Sequence, residues 1–138
     1  MKAWEKGALH PPTIDTQQNG GAMQANVVMH LDWDQVDALK MGLENIRNLL
    51  KEIPPDQTDV RFVMNGKAVV LFRKDRIGEL QELVEELRAK GVRFCLCRNA
   101  LAKNGINGED LIDGVEIVPA GIVELIRLQQ EGFAYVKP

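Results

Sequence analysis

The sequence predicts an α/β fold with a mostly parallel sheet, and three observations carry that expectation. Short apolar runs of strand length alternate with longer helical patterns from Asn26 to the end of the chain, as βαβ units require. The first of these runs, Asn26 to Leu31, is apolar almost throughout, which suits a strand covered on both faces. Finally, 138 residues with 45% hydrophobic and 27% charged side chains fit one globular core, able to hide roughly two thirds of the surface of the unfolded chain.

Residues 1–24, with Pro11-Pro12, Gln17-Gln18 and Gly20-Gly21 and no periodicity, read as an N-terminal arm, and 25–138 as the α/β domain. After the first strand, Asp32-Trp33-Asp34-Gln35 has the form of a helix start, with Asp32 as the cap and Gln35 in the capping-box position. The helix that follows spaces Val36, Leu39, Leu43, Ile46 and Leu50 by threes and fours, one apolar stripe, until Pro54-Pro55 stops it. Asp59 to Met64 forms the second strand.

Asn65-Gly66 and the run Ala68 to Phe72 leave two options open. Asn-Gly between apolar runs signals a hairpin, while a turn into a short helix serves a parallel sheet equally well. Asp75 then caps a second helix with Ile77, Leu80, Val84 and Leu87 inward and Lys90-Gly91 at its end. Val92 to Cys97 is the third strand, followed by a short helix from Asn99 to about Lys103 and a glycine-rich loop from Asn104 to Gly114. Val115 to Val118 is the fourth strand. Pro119 opens a helix that runs to about Glu131, and Phe133 to Val136 closes the fold as a fifth strand.

Charge and composition exclude several classes of function. A formal charge of -3, with Lys and Arg scattered among Glu and Asp, argues against nucleic acid or a membrane surface as partner. No run of about 18 apolar residues suggests a spanning helix, and Met1 to His10 has no signal-peptide core, so the cytoplasm is the expected compartment. Two cysteines two residues apart make no disulfide framework and are expected as thiols. Cys-x-Cys with only His10 and His30 elsewhere lacks zinc-ligand spacing, so no metal is expected, and no glycine-rich phosphate loop occurs.

In parallel sheets ligands bind beyond the carboxyl ends of the strands. That rule selects His30 and Asp32 after the first strand, Asn65 and Gly66 after the second, Cys97, Arg98 and Asn99 after the third, and Pro119, Ala120 and Gly121 after the fourth. Cys97 stands out. A thiol between a strand end and a helix start, beside Arg98, has the positive surroundings that favour thiolate, the reacting form of cysteine. Against this stands a simple buried cysteine, a common core residue. Cys95 shares its face of the strand and reads as core. His30 reads more readily as hydrogen-bonded structure than as a base, Asp32 as a helix cap, and Asn65-Gly66 as a turn.

The stretch Arg93-Phe94-Cys95-Leu96-Cys97-Arg98-Asn99-Ala100-Leu101, with Asn65-Gly66 and the tail Val118-Pro119-Ala120-Gly121-Ile122-Val123-Glu124-Leu125 to Gly132-Phe133-Ala134-Tyr135-Val136-Lys137-Pro138, resembles the DsrE/DsrF-like family of small sulfur-relay proteins over Asn26 to Pro138. The resemblance implies a three-layer α/β/α fold with a five-stranded parallel sheet, a helix after Asn65-Gly66, and homotrimers or homohexamers. In active members a cysteine carries sulfur as a persulfide, and Cys97 matches its position. Ala100 departs from the small hydroxyl residue often found there. The resemblance thus implies a persulfide carrier or sulfurtransferase component without a cofactor, exchanging sulfur between donor and acceptor proteins. The competing expectation is a non-catalytic oligomeric binding protein of the same fold.

Overall fold

The computed structural model describes residues 24–138, so the expected N-terminal arm lies, but for its last residue, outside the described residues. Five strands form one all-parallel sheet: β1 Ala25–Leu31, β2 Thr58–Met64, β3 Arg93–Cys97, β4 Glu116–Val118 and β5 Ala134–Val136, in the order β4-β3-β2-β1-β5. The strands ending at Leu31, Met64, Cys97 and Val118 are therefore successive parallel neighbours, with carboxyl ends on one edge. Between them run α1 Val36–Glu52, α2 Leu80–Ala89, α3 Arg98–Lys103 and α4 Gly121–Gln130.

Chirality explains the layers. From β1 to β4 the chain steps across the sheet in one direction, and right-handed crossovers keep the intervening helices on one face. The connection from β4 to β5 returns the other way, so α4 must cross the opposite face. The buried residues divide accordingly. Leu39, Leu43, Ile46, Val84, Leu87 and Ala100 pack with Phe62, Met64, Phe94 and Leu96 in the larger cluster, while Leu125 and Leu128 of α4 pack with Val28, Val63 and Cys95. Phe94 anchors the larger side between Phe62 and Phe72, ring centroids 6.0 and 5.8 Å away. Each such fully buried side chain contributes about 1.5–3 kcal/mol.

Asn65-Gly66 makes no hairpin. The chain turns there into a seven-residue 3-10 helix, Gly66–Phe72, with Ala68, Val69, Leu71 and Phe72 buried. Gly66 sits at φ +54°, where a Cβ would lie 2.7 Å from the carbonyl oxygen of Asp32, so only glycine makes the turn without strain.

Four local expectations need correction. Asp32 does not cap α1: the cap position is Gln35, without a side-chain hydrogen bond, and Lys137 takes the Asp32 carboxylate at 2.6 Å. Val36 leaves the buried stripe and stands exposed in the open groove between the start of α1 and the turn around Gly78. Asp75 does not cap α2, because its carboxylate binds the Arg73 guanidinium at 2.9 and 3.2 Å; Gly78, at φ +56°, interrupts the helical path and α2 begins only at Leu80. Pro119 lies outside α4, which starts at Gly121 after Ala120.

Candidate functional site

The helices after β3 and β4 leave on opposite faces of the sheet, α3 on the larger side and α4 on the other, and such a reversal opens a crevice at the strand ends. A cleft of about 210 Å³ lies there. Asn65, Gly66 and Cys97 line it from the sheet; Asn99, Ala100 and Lys103 line it from α3; Ala120, Gly121 and Ile122 line it from the start of α4. A larger hollow of about 500 Å³ runs beside α2, but its polar side chains are Gln81 and the carboxylates of Glu79, Glu82 and Glu85, which offer neither nucleophile nor cation.

Cys97 is the last residue of β3 and the cap position of α3, and its Sγ accepts a hydrogen bond from the Ala100 N–H at 3.4 Å. The side chain is 6% exposed, at the bottom of the cleft. Cys95, two residues earlier, is 2% exposed against α4, and burial, reinforced by Glu116 and Glu124, pushes its thiol up to about 12. It stays protonated at neutral pH. Both cysteines are free thiols.

Gly121 lets the cleft close around Cys97. A Cβ on Gly121 would meet Asn65 Cβ at 2.9 Å and Cys97 Cβ at 3.3 Å, so a side chain there would wedge α4 away from the ends of β2 and β3. Behind Asn65 lies His30, 9% exposed. Its Nε2 is 2.9 Å from Asn65 Oδ1 and its Nδ1 is 2.6 Å from the Tyr135 hydroxyl.

Of the residues singled out in the sequence, Cys97, Asn99, Asn65, Gly66, Ala120 and Gly121 line the cleft, and Pro119 does not. His30 reaches it only through Asn65. Arg98 is exposed and absent from the lining, while Lys103, at the other end of α3, supplies the cleft's cation. Asp32 also stays outside; Lys137 holds its carboxyl below the usual range. Lys103, Ile122 and Tyr135 were not singled out. A lysine six residues after a strand-end cysteine, on a helix, was a usable signal; Tyr135 carried none, because its role depends on β5 lying beside β1. Among the described residues no group of three or more His, Cys, Asp or Glu could hold a metal ion, and no helix is long and apolar enough to cross a membrane.

Comparisons with known proteins agree on the fold. The chain is 35% identical to MTH1491 of Methanobacterium thermoautotrophicum, a protein of unknown function, over 83% of this chain and 100% of that one, with a TM-score of 0.76. It is 26% identical to the ychN protein of E. coli, covering 84% and 100% of the two chains with a TM-score of 0.68. BT1422 of Bacteroides thetaiotaomicron, 18% identical over 82% and 94% at a TM-score of 0.60, shares the fold. No curated protein matches the chain. The model of the DsrE/DsrF-like family matches residues 26–138, which include all five strands but the first residue of β1, and every residue lining the cleft. This chain belongs to the DsrE/DsrF-like family.

Proposed function

We propose that the protein is a sulfur-relay component, a persulfide carrier or sulfurtransferase subunit, in which Cys97 holds the travelling sulfur. The observation that carries this reading is the Cys97 Sγ at the bottom of an open cleft, hydrogen-bonded by the Ala100 N–H. In the first step the Cys97 thiolate attacks the outer sulfur of a donor protein's persulfide. An S–S bond forms on Cys97 as the donor's S–S bond breaks, and the donor leaves as thiolate. In the second step an acceptor thiolate attacks the outer sulfur and Cys97 leaves with the electron pair. Each step is a thiol–disulfide type exchange with no net oxidation, so it needs no metal or organic cofactor.

The relay operates in the cytoplasm, where thiols such as Cys95 and Cys97 stay reduced. It works as a homotrimer or homohexamer, a reading supported by Ile122, Val123 and Ile126, which stand exposed on α4 as an apolar face. Light scattering that finds a monomer at micromolar concentration removes the assembly from the proposal.

A second reading, a binding protein of the same fold without thiol chemistry, is favoured by the near-complete burial of Cys97 and by Ala100, which offers no hydroxyl beside the sulfur. Mass measurement after incubation with a sulfane sulfur donor separates the two. A gain of one sulfur, reversed by reductant and absent in Cys97→Ser, supports the relay. No gain supports the binding protein.

A further inference from the structure

Asn65 and Cys97 leave neighbouring strands one step beyond the paired residues Met64 and Leu96, and both approach the same point above Gly121. The end of the Asn65 amide that faces the cleft therefore matters to the sulfur. Oδ1 is turned to His30 Nε2, at 2.9 Å, and a carbonyl oxygen can only accept, so Nε2 carries the proton. Nδ1 is then the acceptor for the Tyr135 hydroxyl at 2.6 Å. The chain Tyr135 to His30 to Asn65 then has one consistent direction.

Asn65 Nδ2 has no hydrogen-bond partner among the described residues. No buried side-chain nitrogen or oxygen among them lacks a partner, so this amide nitrogen is reachable by solvent, on a side chain that lines the cleft. We infer that Asn65 is the side-chain hydrogen-bond donor to the anion on Cys97, and that His30 and Tyr135 are positioning residues that keep its N–H end, and not its oxygen, turned to the cleft. The inference deepens the sulfur-relay reading and rests on it for its purpose, although its test needs only the thiolate. The Ala100 N–H bonds the sulfur from the α3 side, and the Asn65 amide, which makes no hydrogen bond to the uncharged thiol, is the donor available from the β2 side once the sulfur is an anion. An amide turned the other way would set an oxygen lone pair against a negative sulfur.

The test is the pH profile of Cys97 alkylation by iodoacetamide in the full-length protein, read by mass spectrometry of the peptide that contains it. A hydrogen bond to a charged group is worth about one factor of ten in an equilibrium, so Asn65→Ala is expected to slow alkylation roughly tenfold at about pH 6 and to leave it within about twofold at about pH 10. His30→Ala is expected to give a partial loss of the same form, since it frees the amide to turn. His30→Gln, which offers its own N–H to Oδ1, is expected to restore the rate to within about twofold of the natural protein.

An Asn65→Ala protein with intact circular dichroism and an unchanged rate at low pH would overturn the inference. Should that variant fail to fold, the Asn65 side-chain amide signals of the natural protein decide. Their movement with Cys97 ionisation, and its loss in Cys97→Ser, support the inference; signals that do not respond overturn it. Absence of sulfur uptake, with these effects present, would remove the relay and leave the donor role of Asn65 standing.

Discussion

Asn65 and Cys97 stand side by side at the ends of β2 and β3, and the bare Cα of Gly121 is what lets α4 settle against both. The candidate site is thus a junction of three chain segments, each contributing a short side chain or none. A thiol from one strand, an amide from the next and the start of a helix from the opposite face meet within one small cleft.

Gly121→Ala is expected to push that junction apart. The added methyl would meet the Cβ atoms of Asn65 and Cys97, both on backbone held by the sheet, so α4 must yield. Overpacking of this kind costs typically about 1–3 kcal/mol. Urea unfolding should show a lower midpoint, and Cys97 should alkylate faster as the cleft opens. An unchanged midpoint would mean that α4 shifts freely.

Cys97 is expected to label before Cys95, because Cys97 lines an open cleft while burial holds the Cys95 thiol protonated. The two cations near Cys97 should differ in effect. Lys103→Ala removes the charge that lines the cleft and should slow labelling by a few-fold at low salt, whereas Arg98→Ala, exposed and outside the lining, should change it by less than about twofold. A time course resolved by fragment ions checks both the order and the contrast.

Stability in alkali should carry the signature of Cys95. Its thiol is pushed from 9.0 up to about 12 in the folded protein, so the contribution is complete below about pH 9 and is lost as pH rises toward 12. In that window the unfolded chain has released a proton that the folded one still holds. Urea midpoints at about pH 8 and about pH 10.5 should fall further for the natural protein than for Cys95→Ala, which lacks the titrating group. Equal slopes would show that the thiol is more solvated than its burial implies.

The Asp32–Lys137 pair, at 2.6 Å, ties the end of β1 to the C-terminal tail. Both side chains are about two-fifths exposed, so solvent screens the pair and Lys137→Met should cost no more than about 1 kcal/mol at neutral pH. Asp32 is held below its ordinary 3.8, so the contribution is present above that value and disappears as pH falls through the lower folded one. Thermal unfolding of the two proteins should therefore converge in acid. A difference that persists below about pH 2 would locate the effect in packing of the Lys137 stem.

What the sequence determined by itself is whatever burial writes locally. Apolar runs such as Asn26 to Leu31 and stripes such as Leu39, Leu43, Ile46 and Leu50 reveal strands and helices, because one face of each must leave water. Strand ends then locate Cys97, Asn65 and Gly121 on one edge, since parallel strands joined by helices all finish together. The roles of Asp32 and Asp75 were not legible: both have the composition of helix caps, but Lys137, remote in sequence and without local trace, and Arg73, only two residues before Asp75, offer their carboxylates a full charge that composition does not distinguish from a cap. The hairpin signal at Asn65-Gly66 was overruled in the same way, by buried faces that β2 shares with β1 and β3. The link from Tyr135 to His30 joins positions 105 apart in the chain, and it exists only because the return of α4 across the second face sets β5 beside β1. Pairing between remote strands depends on crossover handedness and on how whole layers pack, so tertiary structure alone decided what stands behind Asn65 and how closely α4 meets the sulfur.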